Sequence, residues 1–308
     1  RNIMRVLLLI LFVCIFAIAI FIIHTAIFYH SGMPNSQNIE SVGSRDASNL
    51  SVIEYNIQTR PYIDDLSYRT IGLHTRKSDI VANRLPVILQ SLDTDVIVLT
   101  EAFSHIILDT IRNNLKNYTH STSVLDACKS RRMTNGGVVV FSKYPIVESK
   151  EHCFTNSAYI DSLSAKGIQY IKINKFGINY NIIATHLNAS YGKRNGAEVR
   201  KLQIEEVADF IQALNLPTTE PVIFAGDMNV DPHINPDEYS NMVSTLGIQP
   251  IRNVGHAHSL VNRPGMVDYI MYAKNHRQPI QATCDIRQIT YNGRDISDHY
   301  PIIGIFQF

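Results

Sequence analysis

The sequence predicts an α/β layered fold. Three observations lead to this prediction: short apolar runs typical of buried strands, segments with helical apolar spacing between some of them, and polar residues at the ends of the runs. Some runs are joined by turn signals, as in hairpins, and others by helix-like segments. The chain has 308 residues, 45% of them hydrophobic, which suits one large domain or two ordinary ones.

The first 30 residues differ from the rest of the chain. Residues 6–23 form an unbroken apolar run preceded by Arg1 and Arg5. A run of this length can just span a bilayer, and the positive flank favours the cytoplasmic side. Residues 1–30 are therefore predicted to be a transmembrane anchor or a cleaved signal segment, with the remainder extracytoplasmic or secreted. Residues 31–50, rich in Ser and Asn, are predicted to be a linker, and 51–308 the folded domain.

The charge of the domain is nearly balanced. Residues 1–30 hold two of the 28 Lys and Arg residues and none of the 27 Asp and Glu residues. Proteins that bind duplexes without sequence preference usually carry a basic excess. The balance therefore disfavours nucleic acid as a partner, although local basic clusters at 129–132 and 193–201 keep that alternative open.

The predicted elements of the first half begin with a strand ending on an amide. Apolar runs and turn residues predict, in order, a strand at 51–56, a helix at 78–90 that contains Pro86, a strand at 95–101, a helix at 106–115, and strands at 138–142 and 146–153. The turn residues at 143–145 predict that the last two strands form a hairpin. Because Cys128 and Cys153 flank this hairpin, we predict that they form a disulfide; the alternative is that they and Cys284 are free thiols.

The second half alternates strands with two helices. We predict a hairpin of strands 167–173 and 178–185, a helix at 197–214, a strand at 221–225, a helix at 236–246, and strands at 267–272, 285–291 and 302–306. The helix at 197–214 has apolar residues at helical spacing. Polar residues at several strand ends should converge on one edge of a sheet, where ligand sites of such folds lie.

Oxygen-bearing side chains end two of these strands. Glu101 closes an apolar strand, and a carboxylate there should be paired, neutralised or bound to a cation. Asn56 could share that cation, and an oxygen-only site of this kind suits Mg²⁺. Asp227 and Asn229 stand two residues apart, so both could face one ligand. The alternative is that these residues only cap turns.

Imidazole groups follow two other strands. His186 ends one of them. The alternative to a functional role is a buried histidine that makes its hydrogen bonds within the core. Asp268 lies within a predicted strand, where Asp is disfavoured, so we expect it to pair with a buried group. His299 is the natural partner, because a carboxylate behind an imidazole fixes its tautomer and stabilises its charged form.

These motifs together resemble those of the endonuclease/exonuclease/phosphatase superfamily, the DNase I-like proteins. The resemblance covers residues 51–308 and rests on six motifs in order: Asn56, Glu101, 185–187, 226–229, 267–270 and 297–301. It implies a four-layer α/β sandwich, with two mixed sheets packed face to face and helices outside. It also implies a catalytic domain with Mg²⁺ at the strand ends, with Mn²⁺ or another divalent cation as an alternative.

The resemblance also implies a role for each residue. The general base would be His299, oriented by Asp268. The metal ligands would be Glu101, assisted by Asn56, with Asp298 supporting the site. The remaining roles are phosphoryl contacts from His186 and Asn229, positioning of the nucleophile by Asp227, and substrate contacts from Lys166 and Asn188. The alternatives for Lys166 are contact with a neighbouring loop or a solvated position on the surface. Residues 188–190 also form a glycosylation sequon, which we expect to be unused because a glycan would crowd His186.

Segments at 135–146, 164–167 and 226–230 resemble the neutral and bacterial sphingomyelinases. This similarity implies Mg²⁺-dependent cleavage of sphingomyelin to ceramide and phosphocholine, with a lipid substrate at a membrane surface. The chain contains no Trp and lacks, between Asp268 and Ser297, the aromatic-tipped hairpin of the secreted haemolytic relatives. The alternatives are a nuclease or inositol-phosphate phosphatase of the same superfamily, or an inactive membrane-tethered binding module. No protein partner is inferred.

Overall fold

The computed structural model describes residues 46–61, 76–128, 132–192 and 195–308, together with residues 41 and 43. The predicted anchor or signal segment at 1–30 lies outside the described residues, as does most of the predicted linker. Within the ranges described, no helix has both the length and the apolar character needed to cross a bilayer.

Two mixed sheets form the centre of the domain. The first has the strand order β10-β12-β15-β1-β2-β4-β3 and the second β5-β6-β7-β8-β11-β9. Strand pairs β1–β2, β10–β12 and β7–β8 are parallel, and the other pairs are antiparallel. The strands are β1 Asn49–Asn56, β2 Val96–Thr100, β3 His120–Ser121, β4 Val139–Ser142, β5 Ile146–Cys153, β6 Gly167–Lys175, β7 Ile178–His186, β8 Val222–Asp227, β9 Ile248–Pro250, β10 Arg252–Asn253, β11 Asp268–Ala273, β12 Gln281–Ile286, β13 Thr290–Tyr291, β14 Arg294–Asp295 and β15 Ile302–Gln307.

Helices cover the outer face of each sheet. Against the first sheet lie α1, made of Arg76–Asp79, a π-helical turn Ile80–Arg84 and Leu85–Leu92, and α2, His105–Asn114. Against the second lie α3, Ala197–Leu214, and α4, Pro236–Thr245. A short 3₁₀ helix spans Tyr159–Leu163. The predicted α/β fold with two mixed sheets is therefore confirmed.

Alternation along β1 shows how the sequence builds these layers. Val52 belongs to the apolar cluster between the two sheets, whereas Ile53 and Tyr55 belong to the cluster beneath α1 and α2. Successive side chains of a strand point to opposite faces of the sheet, so the side chains of β1 contribute to two apolar clusters. Both faces of β1 are buried, which explains why apolar residues occur on both of its faces, with Glu54 the one charged residue in the strand.

Pro86 does not interrupt the predicted helix at 78–90. It lies in the first turn of the last segment of α1, directly after the π-helical turn. The bonding pattern of the helix changes from π to α at this point, and the missing amide hydrogen of Pro86 coincides with that change.

The predicted hairpin of strands 138–142 and 146–153 is wrong. β4 pairs with β2 and β3 in the first sheet, whereas β5 pairs with β6 in the second. The turn at 143–145 therefore crosses from one sheet to the other. Turn residues indicate a change of direction, but they do not specify which strand becomes the neighbour. The predicted disulfide between Cys128 and Cys153 is nevertheless confirmed, and Cys284 is buried outside any disulfide.

Two strand boundaries near the C-terminus also differ from prediction. The strand predicted at 285–291 is β12, Gln281–Ile286, which pairs with β15 until Ile286 lies opposite Ile302. Pro301 precedes Ile302 and has no amide hydrogen with which to extend the ladder.

At the other end of β15, the amide of Phe308 donates to the carbonyl of Ser48. The end of the predicted linker therefore packs with the sandwich.

Candidate functional site

Strand register gathers the predicted site residues at one end of the two sheets. In the second sheet Asp227 lies opposite both His186 and Asp268. In the first sheet Asn56, at the end of β1, lies opposite Thr100, directly before Glu101. Two hydrogen bonds from the Asn56 amide, 3.1 Å to Oε1 of Glu101 and 3.0 Å to Oδ2 of Asp227, join the two groups.

His299 and Asp268 form a close pair. Nδ1 of His299 donates to Oδ2 of Asp268 at 2.8 Å, and Asp268 is fully buried. Burial disfavours the charged imidazole, but the carboxylates of Asp268, Asp227 and Asp298 outweigh burial and raise the pKa of His299 to about 11. Asp268 therefore holds the ring in the orientation that leaves Nε2 for other contacts.

Asp227 lies at the centre of the cluster. Its Oδ1 accepts the amide hydrogen of Asn229 at 3.0 Å, while Oδ2 accepts from Asn56 and lies 3.5 Å from Nε2 of His186. Burial, together with the charge of Asp268, raises the pKa of Asp227 to about 7. Burial and the neighbouring carboxylate therefore favour the protonated form of Asp227 more than in an exposed aspartate.

Glu101 follows β2 in a left-handed backbone conformation, with φ of 52°. Such a conformation is uncommon for residues other than Gly and concentrates at functional sites. Burial raises the pKa of Glu101, although Lys166 and the Asn56 amide partly offset this. The side chain is a half-buried oxygen ligand whose charge a cation would stabilise.

The loop at 297–301 is tied to the end of β1. The hydroxyl of Ser297 donates to the carbonyl of Asn56 at 2.6 Å, and the amide of Gln58 donates to Oδ2 of Asp298. Asp298 is half-buried and Ser297 is buried. Gln58 was not predicted as a site residue, and no sequence signal distinguishes it from other residues of a loop.

Lys166 and His186 are more buried than the predicted roles require. Nζ of Lys166 donates to Nε2 of His186 at 3.0 Å, lies 2.9 Å from Oδ1 of Asp161, and is 3% exposed. Burial and the neighbouring charge of Lys166 lower the pKa of His186 well below its ordinary value. The geometry therefore supports a role for both residues in organising the site, and their predicted contacts with the phosphoryl group and the substrate stay predictions.

Asn188 is also occupied within the protein. Its Oδ1 accepts from the amide of Ala158 at 2.9 Å, its Nδ2 donates to the carbonyl of Ala189 at 2.8 Å, and the side chain is fully buried. The structure therefore gives no support to the predicted contact between Asn188 and substrate. The side-chain amide of Asn188 is also inaccessible to a glycan. Asn229 is half-buried, and its Nδ2 donates to the carbonyl of Leu187 at 3.1 Å.

Two acidic residues of the site were missed by sequence analysis. Asp161 contacts Lys166 at 2.9 Å and accepts the hydroxyl of Tyr191 at 2.9 Å, from the 3₁₀ helix between β5 and β6. Glu54 points into the interior two residues before Asn56, and burial together with Asp268 raises the pKa of Glu54 well above its ordinary value. A carboxylate within the apolar run of β1 was the available signal for Glu54.

Among the residues that the structure describes, one group of acidic and histidine side chains could hold a metal ion. Ligand atoms of Asp227, Asp268 and His299 all lie within 4.8 Å of one another. Sequence analysis assigned these three residues to catalysis and placed the metal at Glu101, Asn56 and Asp298. The amide of Asn56 connects the two sets, so the predicted metal ligands and the buried group belong to one site.

Comparisons with known proteins identify relatives of this chain. The sequence model of the endonuclease/exonuclease/phosphatase family matches residues 55–299. A sphingomyelinase C from Bacillus cereus is 32% identical over 256 residues, covering 68% of this chain and 76% of that protein. A phospholipase C from Staphylococcus aureus is 28% identical over 310 residues, covering 87% and 90%.

Solved structures show the same similarity. The crystal structure of a doubly substituted beta toxin from Staphylococcus aureus, with bound magnesium ions, superposes with a TM-score of 0.70 at 27% identity. The alignment covers 84% of this chain and all of that chain. From the matched residues and these similarities, the chain belongs to the endonuclease/exonuclease/phosphatase family, as a phosphoric diester hydrolase of the sphingomyelinase C-like type.

Proposed function

We propose that the chain hydrolyses sphingomyelin to ceramide and phosphocholine in a reaction that depends on a divalent cation, with Mg²⁺ the first candidate. The observation that carries the proposal is the contact of His299 with Asp268, beside Asp227, in one buried cluster. Similarity to sphingomyelinases C supports the choice of substrate. The nearly balanced charge of the domain agrees better with a zwitterionic lipid than with a polyanion.

In the proposed reaction water attacks phosphorus in line with the bond to the ceramide oxygen. The carboxylates around His299 favour its charged ring, and a cation bound beside them would offset their charge and favour the neutral imidazole. Nε2 of this neutral ring takes the proton of the water, while Asp268 holds Nδ1 and stabilises the charged ring that forms. The bond from phosphorus to the ceramide oxygen breaks, and that oxygen takes up a proton to give ceramide. Phosphocholine keeps the phosphoryl group with the oxygen of the attacking water.

The residues present fit a divalent cation. Glu101 supplies a carboxylate that burial makes costly to ionise, and the fully buried Asp268 has an oxygen, Oδ1, without a hydrogen-bond partner among the described residues. A hard cation prefers such oxygen ligands. Glu101, with Asn56 and Asp298, would hold it. When bound, the cation would neutralise developing charge on the phosphoryl oxygens.

Asp227 and Asn229 complete the proposed machinery. Asp227 accepts the backbone amide of Asn229 and contacts Asn56, which places a carboxylate between the proposed base and the proposed metal ligands. We propose that Asp227 positions the attacking water and that Asn229 supports the phosphoryl group. Lys166 and His186 contact each other behind Asp227, and we propose that they fix its position.

A side-by-side assay tests the proposal. The purified chain with Mg²⁺ is incubated with sphingomyelin, phosphatidylcholine, DNA and inositol phosphates, and His299→Ala serves as the control. We expect the highest kcat/KM on sphingomyelin and loss of that activity in the variant. Faster cleavage of DNA or inositol phosphates would instead assign one of the other activities. Absence of turnover on all four would indicate a binding module.

A further inference from the structure

An exposed apolar surface lies directly beside Asp161. On the 3₁₀ helix Tyr159 is 37%, Ile160 63% and Leu163 45% exposed, and the neighbouring Met133 is 64% exposed. The amide of Met133 donates to the carbonyl of Leu163 at 2.9 Å, so both segments form one surface. We call these four residues, Met133, Tyr159, Ile160 and Leu163, the apolar rim.

The apolar rim is firmly connected to the candidate site. Asp161, on the same 3₁₀ helix, is buried and lies 2.9 Å from Lys166, which contacts His186. The ring of Tyr159 packs edge-on against Tyr191, whose hydroxyl donates to Asp161. Asp161, which directly follows Ile160 of the rim, therefore lies two side-chain contacts away from His186.

Clustering distinguishes the rim from other exposed apolar residues. Across the described residues, other large exposed apolar side chains lie on separate elements, for example Val87 on α1, Val147 on β5 and Phe176 in the β6–β7 turn. Single exposed apolar residues are ordinary, whereas a contiguous group marks an interaction surface. Three of the four rim residues come from a single short helix.

We propose that the apolar rim inserts into the surface of a phospholipid membrane and thereby presents lipid headgroups to the site. This inference rests on the proposed function, because its partner is the membrane that holds the substrate. The lipid would approach from the side of the 3₁₀ helix, next to the Lys166–His186 contact.

Charge and a neighbouring hairpin support this choice of partner. Arg132 precedes Met133, and its guanidinium donates to the carbonyl of Ser162 at 2.6 Å, which places a cation beside the rim. Lipid phosphates complement such a cation. The β13–β14 hairpin, which precedes the His299 loop, has the exposed polar residues Asn292 and Gly293 at its tip. That hairpin provides no apolar group for insertion.

The absence of Trp from the sequence allows a direct test of insertion. Ile160→Trp places one fluorescent reporter on the rim, and Val87→Trp places a matched reporter on α1, where Val87 is 59% exposed. Both full-length variants are mixed with phosphatidylcholine vesicles, with and without brominated acyl chains. We expect a blue shift and quenching only for Ile160→Trp.

Each other outcome overturns the inference. No shift for Ile160→Trp, or equal shifts for both reporters, means that the rim does not insert selectively. A blue shift without vesicles that increases with protein concentration means that a second copy of the chain covers the rim. The vesicles do not need to contain sphingomyelin, so the experiment can establish insertion even if the proposed substrate is wrong.

A second pair of variants tests the consequence for catalysis. Ile160→Ser with Leu163→Ser removes apolar rim surface, and Val87→Ser with Ile280→Ser is the matched control on other elements. We expect the rim variant to lose roughly 10-fold or more in rate on sphingomyelin vesicles, because two apolar side chains no longer bury surface. Its rate on a monomeric short-chain choline-phosphate ester should be unchanged. Equal rates of the rim and control variants on vesicles would contradict the inference.

Discussion

Oδ2 of Asp268 lies 2.8 Å from Nδ1 of His299, although the two residues are 31 positions apart in the sequence. Asp268 begins β11, which lies between β8 and β9 in the second sheet, and His299 precedes β15 of the first sheet. The pair therefore connects the two sheets at the end where the other site residues meet. It also gives His299 a single ring orientation, which a general base requires.

Removal of the imidazole should abolish most turnover without unfolding the protein. For His299→Ala we expect kcat on sphingomyelin to fall by ~10²–10⁴-fold, the usual effect of losing a general base. Asp268→Asn should also reduce kcat, because the ring loses its charged partner. Steady-state kinetics with Mg²⁺ held constant measures both effects, and circular dichroism checks the fold. A kcat near that of the unsubstituted chain would exclude His299 as the base.

Glu101→Ala should weaken metal binding. Loss of a group that only supports a metal ligand weakens metal binding by ~10–100-fold, and loss of a ligand itself should have at least this effect. We therefore expect the Mg²⁺ concentration that gives half-maximal rate to rise by ~10–100-fold or more, and excess Mg²⁺ to restore part of the rate. The control is Glu205→Ala, an exposed acidic residue on α3. Calorimetric titration with Mg²⁺ measures binding independently of turnover. Identical Mg²⁺ dependence in both variants would remove Glu101 from the proposed ligands.

The metal-free protein should lose stability as pH rises from acid to neutral. Folding raises the pKa of Asp227 from 3.8 to about 7, so its protonated form stabilises the fold below pH 3.8, and this contribution is lost as pH rises through about 7. The pKa values of Glu54 and Glu101 are also raised by folding, so their contributions have the same sign. The acidic residues whose pKa values are lowered by folding titrate below pH 4.5, so they change the stability of the protein little above that pH.

Thermal melts at pH 5 and pH 8 in the presence of a chelator measure this effect. We expect the lower Tm at pH 8, a smaller difference in Asp227→Asn, and a higher Tm at pH 8 when Mg²⁺ is added, because bound cation stabilises the folded state. A Tm that is constant or rises between these pH values would show that the buried carboxyl groups do not control stability there.

The buried pair of Lys166 and Asp161 should show strong energetic coupling. Lys166→Met leaves the carboxylate of Asp161 buried without its cation, and we expect a loss of about 3–5 kcal/mol in the free energy of unfolding. Lys166→Met with Asp161→Asn removes both charges and should be more stable than Lys166→Met alone. Urea unfolding of the two single variants and the double variant measures the coupling. Additive effects would mean that the 2.9 Å contact contributes nothing.

The sequence by itself determined the α/β class, most strands and helices, and many of the residues that meet at the site, but not Asp161, Glu54 or Gln58. Periodicity, helix ends and turn residues act within a few positions, so they can be recognised in one chain without a fold. For the same reason α3 was predicted with the bounds that it has, Ala197–Leu214. Polar residues such as Asn56 and Glu101 were identifiable because an apolar strand makes a terminal carboxylate or amide conspicuous.

Only the tertiary structure decided which strands pair and which side chains are buried. The turn at 143–145 is compatible with a hairpin, yet β4 and β5 enter different sheets because their partners lie elsewhere in the chain. Likewise, nothing near Lys166 in sequence indicates that it is 3% exposed between Asp161 and His186. Burial and partners at long sequence separation come from the packing of whole sheets, and local patterns contain no information about that packing.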